Sequence, residues 1–167
     1  AGLRYLPFMW LVAIAVATPQ RRRLTLGGLA LITGLWTVDA LVQALAGSSP
    51  WFWSLDQLKH VVSGHGLCPA DEVVLADRLS GALGPCNLKF GQVLASLSPF
   101  LLLPLARRFG HAGWLLGAAA LGVVLLLAGS RASWVTFGLV LVYSGLRQFG
   151  WKRLLLLSLA GLLGAAA

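Results

Sequence analysis

The sequence predicts an all-α integral membrane protein, and three observations carry that prediction. Of 167 residues, 58% are hydrophobic and only 11% charged, with a mean hydropathy of +0.83; soluble domains hold about 25% charged residues. Several apolar runs approach the roughly 20 residues needed to cross a hydrocarbon layer about 30 Å thick. The basic residues gather in short clusters between those runs: Arg21-Arg22-Arg23, Arg107-Arg108, and Arg147 with Lys152 and Arg153. A net charge of +8 would point to nucleic acid in a soluble protein. Here the clusters follow the positive-inside rule, and the aromatic–basic interleaving of a nucleic-acid surface is missing. Lipid offers backbone groups no hydrogen-bond partners, so each span is expected to be a helix. The expectation is a polytopic bundle of about six transmembrane helices, plus an outer loop with a short interfacial helix.

The first span covers residues 3–18. Pro19 and three adjacent arginines end it and mark that end as cytoplasmic. The second, 24–46, carries one acid, Asp39, with Gln43 four residues on. At helical spacing the two share a face, and an acid at that depth must look toward protein or a water-filled cavity. They read either as a structural hydrogen-bonding pair or as support for a substrate site. Gly47-Ser48-Ser49-Pro50 then stops one helix and starts another, with Ser49 as cap and Pro50 in the first helical position. Over 51–62, Trp51, Leu55, Leu58 and Val62 fall on one side and Asp56, Lys59 and His60 toward the other. With Trp53 added, this is the pattern of an amphipathic helix lying on the outer face; the alternative is a loop helix packed on the bundle.

Residues 63–87 form the one sizeable polar loop, punctuated by Gly and Pro. It holds Cys68 and Cys86, which are either two free thiols or, in an oxidising compartment, a disulfide worth about 3 kcal/mol in the chain-entropy model. Those cysteines with His60 and His65 lack the close pairs of common zinc sites, so no metal is expected. Asn87 can cap the third span, 88–106, where Pro99 and Pro104 should kink the helix or open its hydrogen-bond ladder. The fourth span, 113–128, is rich in Gly and Ala, which lets helices approach closely. The fifth covers 132–149, and a sixth begins near Leu154. The chain opens inside an apolar run and closes in mid-span, so residues 1–167 read as a single membrane domain belonging to a larger polytopic protein. With the spans so drawn, the three basic clusters fall on one side; the long loop and Arg131 fall on the other.

Once the topology anchors are set aside, four outside cations remain: Lys59, Arg78, Lys89 and Arg131. Arg131 stands out. Gly129, Ser130 and Ala132 leave room beside it, and it lies where a helix begins, so free amides and the helix dipole favour an anion. A guanidinium also grips phosphate with two parallel hydrogen bonds, which an ammonium cannot copy. The alternative is an arginine snorkelling to lipid headgroups.

Three segments resemble a known family. Arg78-Leu79-Ser80-Gly81-Ala82-Leu83-Gly84-Pro85-Cys86-Asn87 is similar to the Arg…Gly…Gly-x-x-Asn segment of the bacterial O-antigen ligase and O-antigen polymerase superfamily. Gly129-Ser130-Arg131-Ala132-Ser133-Trp134 resembles its Gly-Ser-Arg signature. Asp39-Ala40-Leu41-Val42-Gln43, followed by Gly47, resembles the segment before its first sizeable outer loop. The likeness is greatest to an O-antigen ligase and spans about the first half of a typical member. It implies a multi-pass glycosyltransferase of the bacterial inner membrane, working in lipopolysaccharide biosynthesis with its active site facing the periplasm. Such enzymes move a glycan from undecaprenyl diphosphate to an acceptor, without nucleotide sugar, cofactor or metal. The acceptor is lipid A-core in the ligase, another lipid-linked glycan in the polymerase and protein in a third branch. The resemblance makes Arg131 and Arg78 the catalytic diphosphate contacts, with Lys89, Asn87, Asp39 and Gln43 as further substrate-binding residues. The family's proposed general base is a histidine in a later periplasmic loop. Neither His60 nor His65 matches that motif, so the base is expected beyond Ala167, and His111 belongs to the cytoplasmic side. The residues alone also admit a transporter or lipid-binding membrane protein, with Pro99, Pro104 and Asp39 marking a broken-helix pathway, or a structural subunit.

Overall fold

The computed structural model describes residues 6–68, 78–87 and 89–166, with side chains described for all of these except 6, 8 and 152–166. The loop acids Asp71, Glu72 and Asp77 therefore lie outside the described residues. The regular elements are helical: α1 Leu6–Val16, α2 Pro19–Ala46, α3 Pro50–Ser63, a 3₁₀ turn Gly81–Leu83, α4 Phe90–Leu127 and α5 Arg131–Ala166. Of these, α2 and α4 are long and apolar enough to cross a membrane.

Local chemistry sets most boundaries. Thr18 caps α2, its hydroxyl accepting from the Arg21 amide at 3.2 Å, with Pro19 in the first turn. Ser49 and Pro50 open α3 the same way, the Ser49 hydroxyl accepting from the Phe52 amide at 3.0 Å. Proline at a helix start costs nothing, because its missing N–H would have no partner there.

The chain reverses within α4. Gly110 adopts φ 64° and ψ −143°, a backbone region open only to glycine. The arms on either side, 90–109 and 111–127, then pack on one another. A side chain at Gly113 would place its first carbon 2.5 Å from the Leu105 carbonyl oxygen, so only glycine allows the arms to come this close. A second glycine, Gly150 at φ 74° and ψ 166°, breaks α5. Both breaks thus fall at glycines, next to the expected span ends.

The prolines leave the backbone dihedrals helical. The backbone stays helical through Pro99 and Pro104, and the one non-helical residue within α4 is Gly110. Pro99 has no N–H for the Ala95 carbonyl, but the Ser98 hydroxyl donates to that oxygen at 2.7 Å. That bond offsets the local loss of a backbone hydrogen bond.

The core lies between α2, both arms of α4 and the first part of α5. Phe90, Leu94, Leu102, Leu121, Val124 and Leu125 are fully buried in it. Deep within it the Trp114 indole donates to the Ser144 hydroxyl at 3.1 Å. Outward faces are apolar too: Leu24, Leu31, Val38, Leu45, Leu116, Leu126 and Leu139 are exposed. Such a surface is far larger than a soluble monomer leaves open.

The two ends of the bundle differ in charge. The Thr33 hydroxyl reaches the Leu97 carbonyl at 3.5 Å and Gly34 lies against Leu101, so α2 and the first arm of α4 run side by side. From that level Arg22 and Arg108 are each about three turns further toward one end, roughly 16 Å at 1.5 Å per residue. Gln148 Nε2 sits 3.2 Å from His111 Nδ1, and the His111 ring packs on Phe149 at 4.5 Å, which brings Arg147 to the same end. Arg22, Arg108 and Arg147, separated widely in sequence, share one end of the bundle; Arg78, Lys89 and Arg131 share the other.

A candidate anion site at the start of α5

The site is built on the joint between α4 and α5. Gly129 turns the chain at φ 65° and donates its amide to the Leu126 carbonyl at 3.1 Å. The Ser130 carbonyl accepts from the Ser133 and Trp134 amides at 3.1 and 3.3 Å and from the Ser133 hydroxyl at 2.6 Å. The Trp134 indole donates back to the Leu125 carbonyl at 3.0 Å, tying the first turn of α5 to the last turn of α4. Arg131 is the first residue of α5 and is exposed. The amides of Arg131 and Ala132 have no backbone partner among the described residues. They are the free donors of a helix start, pointing where the dipole is positive.

Arg78 is brought to this joint from far away in sequence. The Leu79 amide donates to the Leu127 carbonyl at 3.4 Å. The Gly81 amide donates to Gln43 Oε1 at 2.7 Å, and Gln43 Nε2 donates to the Ser80 hydroxyl at 3.2 Å. These bonds lay the Arg78 side chain across Gly129: a Cβ there would stand 3.4 Å from Arg78 Nε. The glycine therefore serves the turn and the passage of Arg78 together. Two guanidiniums with strong positive charge thus border a helix start.

Lys89 and Asn87 stand at the start of α4. The Asn87 carboxamide oxygen accepts from the Lys89 amide at 3.0 Å, a local turn two residues before Lys89 rather than the expected cap: α4 begins at Phe90, and Lys89 holds the cap position without a side-chain bond. Both are exposed. The starts of α4 and α5 cross tightly, because Gly91 faces the Ala128 methyl and the Ser133 hydroxyl.

Asp39 and Gln43 lie behind the site and brace it. They share a face of α2 as their spacing requires, but each holds a different segment. Asp39, only 9% exposed, accepts from the Ser49 hydroxyl at 2.6 Å and from the Trp51 amide at 2.9 Å, fixing the start of α3. Gln43 fixes the Arg78 segment. Cys68 and Cys86 are joined in a disulfide with Cα atoms 5.8 Å apart. It closes a ring that contains Arg78 and ties it between the end of α3 and the start of α4.

The underside of α3 meets the protein through Phe52 and Asp56, both half-buried. Its apolar side does not. Trp51, Leu55, Leu58 and Val62 are exposed, Val62 to 79%, as are Trp53 and Val61. The helix is therefore amphipathic, with the apolar face turned away from the bundle. Of the loop histidines, His65 Nδ1 lies 2.7 Å from the Ser63 carbonyl, and His111 sits at the opposite end of the bundle. Among the described residues no group of three His, Cys, Asp or Glu side chains could hold a metal ion.

The Trp134 strap and the Leu79–Leu127 bond had no signal in the sequence, because both join a side chain or amide to a carbonyl that any residue supplies. No family model, curated protein or solved structure matches the chain.

Proposed function

We propose that the chain is the donor-binding part of a bacterial inner-membrane glycosyltransferase, an O-antigen ligase, acting at the periplasmic face. One observation carries the reading: Arg78 lies across the Gly129-Ser130-Arg131 turn, so two segments about fifty residues apart, each resembling a superfamily motif, meet at one helix start. The glycine breaks at Gly110 and Gly150 support a reading with six membrane spans, in which the end carrying Arg22, Arg108 and Arg147 faces the cytoplasm by the positive-inside rule. Exposed Trp51 of α3 then lies at the outer lipid–water boundary.

In this reading the undecaprenyl diphosphate of the donor sits against Arg131, Arg78 and the free amides of α5, with Lys89 nearby. An acceptor hydroxyl oxygen attacks the anomeric carbon, giving its proton to the general base expected beyond Ala167, while the bond from that carbon to the phosphate oxygen breaks. The electron pair leaves with the diphosphate, and the growing charge is stabilised by donors already in place. Asp39, Gln43 and Asn87 contribute by holding those donors. The acceptor is lipid A-core; a second lipid-linked glycan and a protein are the acceptors of the polymerase and protein-modifying branches, which share the same donor chemistry.

The test is Arg131→Ala and Arg131→Lys in the native membrane. The alanine variant should insert normally and lose both undecaprenyl diphosphate binding and glycan transfer. Lysine should restore little, since it cannot form the two-pronged contact. Unaltered surface polysaccharide in the alanine strain overturns the proposal.

A further inference from the structure

Between the underside of α3 and the Arg78 segment lies a cavity of about 350 Å³, within the usual size range of ligand sites. Gln43 and Ser48 lie on its polar side, Phe52 and Trp53 give it aromatic walls, and Asp56 and Arg78 both line it. We infer that this cavity is a subsite for a single neutral sugar ring, the one bonded directly to the diphosphate. The inference rests on the donor reading above and names the part of the donor that the cavity takes.

Four features decide the ligand class. Arg78 is common to the cavity and to the anion site at Gly129, so a ligand with its anion on that arginine has the group bonded to the anion within reach of the cavity. The lining is two-faced, aromatic and apolar on one part, amide, hydroxyl and carboxylate on the other. A pyranose has the same division: a ring face of C–H bonds and a rim of hydroxyls. Charge argues for neutrality, because among the described lining residues one carboxylate, Asp56, opposes one guanidinium, Arg78. A second anion would meet Asp56, and a metal ion would find a single acid among those residues. Asp56 Oδ1 already accepts from the Leu67 amide. Its Oδ2 has no hydrogen-bond partner among the described residues and is left for a sugar hydroxyl. An acyl chain, the other candidate at a membrane surface, would strand these polar groups without partners.

The position also accounts for the division of α3. Phe52 and Asp56 look into the cavity side, while Trp51, Leu55, Leu58 and Val62 look outward. The helix would then rest on the membrane with one face and roof a sugar with the other.

The experiment measures binding of two probes to the protein in nanodiscs: undecaprenyl diphosphate, and the same lipid bearing one hexose. Trp53→Ala should weaken the hexose-bearing probe by roughly tenfold, the scale of one lost aromatic contact, and leave the sugar-free probe within about twofold. Asp56→Asn should shift the same probe in the same direction. Trp51→Ala, which removes an exposed tryptophan of α3 outside the cavity, controls for membrane seating and should not separate the probes. Equal weakening of both probes by Trp53→Ala, or no change in either, overturns the subsite. Failure of the donor reading looks different: Arg131→Ala would then leave binding of the sugar-free probe intact.

Discussion

Replacing Asp39 by alanine should release α3 without unfolding the bundle. Asp39 accepts two hydrogen bonds, from the Ser49 hydroxyl at 2.6 Å and the Trp51 amide at 2.9 Å. Ser49 in turn accepts from the Phe52 amide, so the carboxylate orients the hydroxyl that caps the helix. Ser49 is only 6% exposed, and alanine leaves its hydroxyl and the Trp51 N–H without that acceptor. A stranded polar group costs about 1–3 kcal/mol, and exposure of the Trp51 end allows partial rescue by water. The total is about 2–4 kcal/mol, which corresponds to roughly 30- to 1,000-fold in a local opening equilibrium. Hydrogen exchange in nanodiscs reads this directly: amides of residues 51–53 should exchange faster by that factor, while those around Leu121 and Leu125 keep their protection. Asp39→Asn should cost about 1 kcal/mol, since its oxygen still accepts from one donor. Unchanged exchange in α3 after Asp39→Ala would refute the brace. An equal rise throughout α4 would refute its local nature.

Gln43→Ala removes the acceptor of the Gly81 amide and the donor to Ser80, so the Arg78 segment should loosen. Affinity for undecaprenyl diphosphate should fall by about five- to tenfold, the equivalent of roughly one net hydrogen bond, and Gln43→Glu should recover most of it because Ser80 can donate instead. Replacing Cys68 and Cys86 together by serine opens a ring with a sequence separation of 18. Thermal unfolding should show a loss of about 3 kcal/mol in the chain-entropy model, and reductant should bring the native chain to the same level without affecting the variant.

The fold was legible where a residue acts through its own chemistry. Thr18-Pro19 and Ser49-Pro50 start helices because a side-chain acceptor and a ring without N–H suit that place in any context. The alternation of apolar runs with basic clusters likewise predicts which ends lie together, since charge and hydropathy belong to the residues themselves. Asp39 and Gln43 were legible only as residues of interest. Their spacing placed them on one face of α2, but the segments they hold lie about ten and nearly forty residues away along the chain.

By itself the sequence determined helices, the caps of α2 and α3 and the amphipathic division of α3, all of which depend on neighbours within a few turns. Tertiary structure alone decided that the turn between the arms of α4 falls at Gly110, where the positive φ and the close packing of the arms at Gly113 both require glycine. It also decided that Arg78 passes over Gly129 beside Arg131. That meeting depends on hydrogen bonds to main-chain atoms, which every residue carries and no pattern of side chains announces.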